Sequence, residues 1–563
     1  MIDQRASRVL PVIDVVAPAP TEPRRPAAPR DDRLAEYLPL TSALPAFHVW
    51  TLGCQMNRSD SEEMAGRLLA AGCAEAPTIE AADLVVINTC AIRETAEAKV
   101  VGRQGRLAAL KAANPALRVV LTGCAVRETD RHRLRRRFPA VDLFLRPDEE
   151  PELVERLGLA SAGVPSAAGR DEPVPAATAS AATTIVHRAV VSDATNLSRA
   201  RAGAVGTGSV ARASAISAWL PIVYGCDKTC TYCIVPFSRG PERSRPFDDI
   251  LAEAGVLAAA GYREVTLLGQ NVNSYGHDLP AEPRFGHVDT TRAVGRRQDR
   301  AGRPDLAELI GAIDAIRGPD GRPAIGRLRF VTSHPWDLSD RLVEAMAACP
   351  SVCEALHLPV QSGDDATLRR MGRQYTIEHY LERVGRIRAA VPGIALSTDV
   401  IVGFCGETEA AFEATLALLD EVRFDQVFAA AYSERPGTPA TRLDDDVPAG
   451  EKRRRLNELL ARQEAIGLER NRAWVGRTVE VLVDRVSPMT AHDHEDPTAV
   501  EGGAPAGEGT TGRWTLGPGE VRLAGRTREN KLVHLAGRPA LVGTLVDVVV
   551  DHAGPYALRG RPA

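Results

Sequence analysis

Gly225-Cys226-Asp227-Lys228-Thr229-Cys230-Thr231-Tyr232-Cys233 places three thiols at i, i+4 and i+7 on one short loop. Sulfurs that close can face one small object. Thiolates are soft ligands that suit iron–sulfur clusters, zinc and copper. A four-iron cluster normally takes four protein cysteines, so three local ones would leave one iron open to chelate a small molecule. A structural zinc site is closed by four ligands, commonly two Cys-x2–4-Cys pairs. Here no His or further Cys follows Cys233 until His277. Three thiols packed as small hydrophobes are the blander alternative.

A second set of cysteines is marked by position instead of spacing. Ala46–Cys54, Leu84–Cys90 and Arg118–Cys124 read as strands, the middle one almost continuously apolar as buried parallel strands are. Helical stretches separate them, one opened by a capping-box signal at Ser59-Asp60-Ser61-Glu62 and running through Ala71, another running through Ala108. This alternation implies a doubly wound parallel sheet. All three predicted strands end in cysteine, and open α/β sheets bind ligands outside the carboxyl ends of their strands. Cys54, Cys90 and Cys124 therefore share one rim, which reads as a second metal site without saying which metal. Coincidental core cysteines are the competing reading.

Behind the Cys226 loop a second α/β series must position the chemistry. Strands are expected at Leu220–Val223, Glu264–Asn271, Leu328–Ser333, Ala355–Gln361, Ala395–Phe404 and Gln426–Ser433, with helices such as Phe247–Ala260 and Thr376–Ala390 between them. This suits an incomplete parallel barrel with its chemistry at the carboxyl-terminal rim. Polar groups fall where that rule asks: Gln270, Asn271, Ser333, His334, Gln361, Ser362, Asp399, Ser433 and Arg435. His277–Arg303 reads as a surface loop. After a helix over Gly450–Arg472, strands at Val479–Val483, Arg526–Leu535 and Leu545–Val550 suggest a small antiparallel β-barrel around a Gly-rich acidic loop, Pro488–Pro518. Small β-barrels often bind nucleic acid, and Arg526, Arg528, Lys531, Arg559 and Arg561 give this one a basic tilt, although a solubilising surface would look the same. The helix carrying Arg131, Arg133, Arg135, Arg136 and Arg137 is equally open between a solvated face and a phosphate-contacting one.

The whole chain bounds these readings. Its 563 residues imply two to four domains, and 44% hydrophobic residues can bury large cores. A net charge of −4 gives no bulk attraction to polyanions, so a nucleic-acid surface must be a local patch. Ten cysteines are too few for a disulfide scaffold. No apolar run reaches the length of a membrane span, and no signal-peptide segment opens the chain. Residues 1–45 and 160–215 read as a disordered extension and linker, bounding an N-terminal domain at 46–159, a core at 216–472 and a C-terminal domain at 473–563.

The CxxxCxxC loop resembles that of the radical S-adenosylmethionine (SAM) enzymes. The fuller stretch Tyr224–Pro246, YGCDKTCTYCIVPFSRGPERSRP, resembles their methylthiotransferase branch. Leu267–Gly276, Leu356–Gly363 and the TRAM-like Gly525–Lys531 resemble the MiaB-type members, which act on dimethylallylated adenosine beside the tRNA anticodon. The likeness covers about Phe47 to Arg559 and implies an N-terminal methylthiotransferase domain, a radical SAM barrel and an RNA-binding TRAM barrel. By it, Cys226, Cys230 and Cys233 hold the SAM-binding [4Fe-4S] cluster. Cys54, Cys90 and Cys124 hold an auxiliary one concerned with the sulfur. Gln270, Asn271, Ser333, Gln361, Ser362 and Asp399 are the candidates for SAM, and Arg526, Arg528 and Lys531 for RNA.

The implied reaction puts a methylthio group on C2 of the base at adenosine 37 of tRNAs reading codons that begin with U. An unactivated C–H bond offers no acid, so the hard chemistry must come from a cofactor that the protein orients and shields. The implied partners are the tRNA anticodon stem-loop, an electron donor such as flavodoxin or ferredoxin, and iron–sulfur assembly proteins, for a cytoplasmic monomer. Other classes remain open: a methylthiotransferase acting on threonylcarbamoyl-adenosine or a ribosomal-protein aspartate, and a non-catalytic RNA-binding zinc protein. Two departures stand out. Cys405 takes a position where the family usually has proline, and Tyr224 one where an acidic residue is frequent. Cys73, Cys349 and Cys353 match no ligand position and read as packing residues.

Overall fold

The computed structural model describes residues 45–90, 100–127, 131–159, 189–190, 210–286, 302–487 and 516–563. The expected extension, most of the expected linker, and most of the loop 488–518 lie outside these residues.

The N-terminal sheet has five parallel strands in the order β2-β1-β3-β4-β5 (Ala74–Glu75, Ala46–Leu52, Leu84–Thr89, Arg118–Thr122, Leu143–Phe144). Its central strand β3 is buried on both faces, which is why it reads as an unbroken apolar run. Val85, Ile87, Val119 and Leu121 pack against α2 (Gln104–Ala113) and α3 (Arg131–Arg137) on one side. Leu84, Val86 and Val120 meet Met64 and Leu68 of α1 (Gln55–Ala70) on the other.

Helix α1 corrects the capping expectation. It begins at Gln55 with Cys54 as its N-cap, so Ser59-Asp60-Ser61-Glu62 lies inside the helix. Those polar residues are buried for another reason: α1 is covered by the rest of the chain, and the side chains of Asp60, Ser61 and Glu62 have partners there. Ser61 Oγ accepts from Thr51 and Asn88, while Glu62 accepts from Arg212 and the Ala213 N–H. The segment from Val210 thus belongs to the fold, its β7 strand (Val210–Ala211, paired with β6, Ala189–Val190) lying against α1.

Six parallel strands follow in chain order: β8 (Ser217–Pro221), β11 (Glu264–Leu268), β12 (Arg327–Phe330), β13 (Ala355–His357), β14 (Ala395–Val402) and β15 (Gln426–Ala431). They form two three-stranded sheets joined between β12 and β13 by the single bridge Leu328–Val352. A short antiparallel pair, β9 (Val223–Tyr224) with β10 (Arg243–Ser244), brackets the Cys226 loop. One large apolar core backs both sheets.

The C-terminal domain is a closed five-stranded barrel, β16-β17-β18-β20-β19. The expected strand Arg526–Leu535 is in fact a hairpin: β17 (Val521–Arg526) turns at Asn530, whose φ is +63°, into β18 (Leu532–Gly537). Asn tolerates that left-handed geometry better than most residues. β16 is Thr478–Val486, β19 Leu545–Ala553 and β20 Ala557–Pro562. The barrel is not wholly antiparallel, because β18 and β20 run parallel where it closes. Among the described residues no helix is long and apolar enough to cross a membrane.

Candidate metal centre

β1, β3 and β4 are neighbours with Leu52 opposite Thr89 and Asn88 opposite Thr122. Cys54, Cys90 and Cys124 follow those strands by one or two residues, so the register alone collects them on one rim. The rim is drawn tight by Asn57 and Asn88, both wholly buried, each donating its amide N–H to the other residue at 2.8 Å. Gly123 makes the closure possible. Its φ is +95°, and a Cβ there would stand 2.1 Å from the Thr89 carbonyl oxygen. A hydrogen bond with Cys90 and the Arg239 guanidinium hold the Cys54 thiol down at about 6 against its burial. Burial pushes the Cys124 thiol up, opposed by the same guanidinium.

The second triad sits on the loop that leaves the carboxyl end of β8 through β9. Gly225 enters it at φ +74°, where a Cβ would lie 2.1 Å from the Pro241 carbonyl oxygen. The loop is pinned from outside: Thr231 N–H donates to the Met371 carbonyl at 2.9 Å, and its hydroxyl to that of Arg370 at 2.8 Å. Cys226 and Cys230 are buried, with Cys233 partly open. Burial, then the charge of Cys230, pushes the Cys233 thiol up to about 12. Arg373, itself buried, aims a guanidinium N–H at Cys230 Sγ from 3.5 Å.

The two triads face one another. Ile234, beside Cys233, packs on Cys124 and Ala125, and the charge of Cys124 is felt at Cys233. Arg239, at the end of helix α4 (Val235–Ser238), donates Nε–H to Cys124 Sγ at 3.1 Å. Its Nη2 pairs with Asp60 of α1 at 2.5 Å. All ten cysteines are free thiols. Among the described residues no group of three or more His, Cys, Asp or Glu converges as the ligands of one metal ion must. A four-iron cluster takes each thiolate on its own iron, so triads of buried and half-buried thiols beside guanidinium groups have the donor chemistry for it.

The rim residues expected to meet SAM gather at the carboxyl ends of β11–β14. Gln270 is orphaned at both amide atoms, as are Asn271 Oδ1 and Ser333 Oγ, all buried without a hydrogen-bond partner. Buried polar atoms are rarely left unpaired, and a cluster of them at a barrel rim fits a polar ligand. Asn271 Nδ2 is spent on Asp337, which also pairs with Lys228 at 2.6 Å. Gln361 holds a left-handed φ of +73° and exchanges backbone hydrogen bonds with Asp399 and Ile401. Ser362 is wholly buried, its hydroxyl capping the Asp364 N–H. Asp399 meets His357 Nε2 at 3.3 Å, and Ser397 meets Nδ1 of the same ring at 3.0 Å.

The three residues expected to contact RNA lie elsewhere, at the opposite end of the barrel. Lys531 is buried and bonds Asp425 at 2.7 Å and Asn471 at 2.8 Å. Arg528 pairs with Glu354 at 2.8 Å and donates to the Val352 carbonyl at 2.6 Å. The backbone carbonyls of Arg526, Thr527 and Arg528 accept from Arg327 and Arg329 at the start of β12. The Gly525–Lys531 turn is a dock between domains: the side chains of Arg528 and Lys531 are engaged there, while that of Arg526 donates to the Asn530 carbonyl within the turn. Cys405 is a packing residue among Met371, Phe404 and Tyr432. Tyr224 has its acidic partner across the interface, its hydroxyl donating to Glu63 at 3.2 Å.

Sequence reasoning missed Arg239 and Arg373. Both lie in or near recognisable stretches, but a spacing of six residues from Cys233, or of over one hundred from Cys230, says nothing about where a guanidinium points.

Known proteins bear on this geometry. Residues 220–419 match the radical SAM superfamily, and residues 46–146 match the uncharacterized protein family UPF0004. The chain is 39% identical over 516 residues to the tRNA-2-methylthio-N(6)-dimethylallyladenosine synthase of Carboxydothermus hydrogenoformans, covering 92% of this chain and 98% of that protein. It is equally 39% identical over 521 residues to the protein of the same name from Symbiobacterium thermophilum, covering 92% and 94%. Among solved structures it resembles the radical SAM methyltransferase TsrM of Kitasatospora setae, at TM-score 0.46 and 16% identity over 70% of this chain and 77% of that one.

Proposed function

The chain belongs to the tRNA-2-methylthio-N(6)-dimethylallyladenosine synthase family, and from that premise we propose that it adds a methylthio group to C2 of dimethylallyladenosine at adenosine 37 of tRNAs reading codons that begin with U. The observation that carries this reading is the approach of the two triads through the segment after Cys233, where Ile234 packs on Cys124 and Arg239 donates to its sulfur. Cys226, Cys230 and Cys233 hold a SAM-binding [4Fe-4S] cluster, and Cys54, Cys90 and Cys124 an auxiliary one. When bound, the pair supplies what the side chains lack: an electron for reductive cleavage of SAM, and sulfur for transfer.

The chain's own part is to bind, orient and exclude water. Gln270, Asn271 and Ser333 offer SAM the polar atoms that have no partner in the protein, while Gln361, Ser362 and Asp399 complete that rim. The N-terminal sheet, which we read as doubly wound, caps the barrel over residues 46–159 and shields the mouth. The target base must leave its stack to enter, which a single-stranded anticodon loop permits cheaply. The exposed arginines of α3, Arg133, Arg135, Arg136 and Arg137, offer a surface for phosphates. Arg526 and the rest of the TRAM barrel, residues 473–563, add to it, whereas Arg528 and Lys531 serve by holding that barrel in place. The core spans 216–472. A cytoplasmic monomer supplied by flavodoxin or ferredoxin, and by iron–sulfur assembly proteins, completes the picture.

Anaerobic reconstitution followed by assay on tRNA carrying or lacking the dimethylallyl group tests this directly. Product on the first substrate alone is expected. Equal product on both, or on neither with both clusters loaded, would overturn it.

A further inference from the structure

Arg239 is the one described side chain bonded to a sulfur of one triad while borne on the segment that follows the other. It is 6% exposed, and its partner Asp60 is 5% exposed. The arrangement is a line of three groups: the carboxylate of Asp60 on α1, the guanidinium of Arg239 just after α4, and the thiol of Cys124 two residues beyond β4. Glu150 and Cys54 lie near enough for their charges to act on the same groups. Arg373 makes the matching contact to Cys230, without a carboxylate bonded behind it among its described contacts.

We propose that Arg239 is a positioning residue that tunes the auxiliary cluster independently of the SAM-binding one, its N–H raising that cluster's reduction potential and Asp60 moderating the effect. This rests on the reading that Cys54, Cys90 and Cys124 hold a cluster. Reduction adds negative charge to the cluster and its sulfurs, so an N–H donor on a ligand sulfur favours the reduced state, and hydrogen bonds to sulfur are among the factors that set such potentials. The environment is buried, so the interaction is screened little by water. Asp60 draws the guanidinium charge toward itself and weakens its pull. The two substitutions therefore act in opposite directions, which a loss of packing alone would not do.

The test is a redox titration of the full-length reconstituted protein, followed by electron paramagnetic resonance, with iron content measured alongside. Arg239→Gln is expected to shift the auxiliary potential down, Asp60→Asn to shift it up, and Arg239→Lys to fall between wild type and Arg239→Gln. The SAM-cluster potential should stay in place in all three, and move down in Arg373→Gln. If Arg239→Gln fails to load the auxiliary site, the opposing pair Arg239→Lys and Asp60→Asn decides the matter by the sign of each shift. Fully loaded variants with wild-type potentials, or shifts of one sign in both Arg239→Gln and Asp60→Asn, overturn the proposal. A wild-type protein that binds no second cluster overturns the functional reading beneath it.

Discussion

At the scale of single residues, the interface between α1 and the barrel concentrates charge away from water. Desolvation and the neighbouring Asp60 hold the Glu63 carboxyl up at about 7, from an ordinary value of 4.5. The folded state thus keeps a proton that the unfolded chain gives up first. Stability from this group is full below the unfolded value and is lost as pH rises through about 7, a change of roughly 3 kcal/mol at most. Glu63→Gln should therefore flatten the fall in unfolding free energy between about pH 5 and about pH 8. Denaturant titrations across that range check it, and an unchanged slope would count against a half-buried, protonated Glu63. The two groups of cysteines were the most legible because each is marked in the chain, one by its spacing and the other by its strand-end positions. Arg239 and Glu63 were not, since their partners lie on another domain.

At the scale of elements, the rim of the N-terminal sheet depends on a glycine. Because Gly123 adopts φ +95° with no room for a Cβ, Gly123→Ala must displace Cys124. Auxiliary-cluster iron should be lost while the Cys226–Cys233 site still loads, as iron analysis and spectroscopy would show. Retention of both clusters would mean that the rim tolerates movement. The Gly525–Lys531 turn makes the contrasting case. Lys531→Ala breaks a buried pair with Asp425 that Arg470 partly replaces at 2.9 Å, so a loss of about 2 kcal/mol in stability is expected. The salt dependence of anticodon stem-loop binding should keep its slope, whereas a phosphate contact would lower it by about one. The strands were legible from their apolar runs, although those of the N-terminal sheet stop one or two residues before the cysteines expected to end them. The turn was not: Arg526–Leu535 alternates well enough to pass for one strand, and only the left-handed Asn530 breaks it.

At the scale of the whole molecule, the barrel has two occupied ends. Its carboxyl rim carries Cys226, Cys230 and Cys233 beneath the N-terminal sheet, and its amino end is docked on the C-terminal barrel through Arg327, Arg329 and Arg528. Arg528 and Lys531 meet Glu354 and Asp425, and composition cannot distinguish a cation that meets phosphate from one that meets a neighbouring carboxylate. The division of labour between the triads is the proposition on which everything else rests. It is tested most directly by replacing Cys54, Cys90 and Cys124 together with alanine and following both products of the anaerobic reaction, 5′-deoxyadenosine and the methylthiolated nucleoside. Continued SAM cleavage with no methylthio product is the expected result, and loss of both, or survival of the methylthio product, would contradict it.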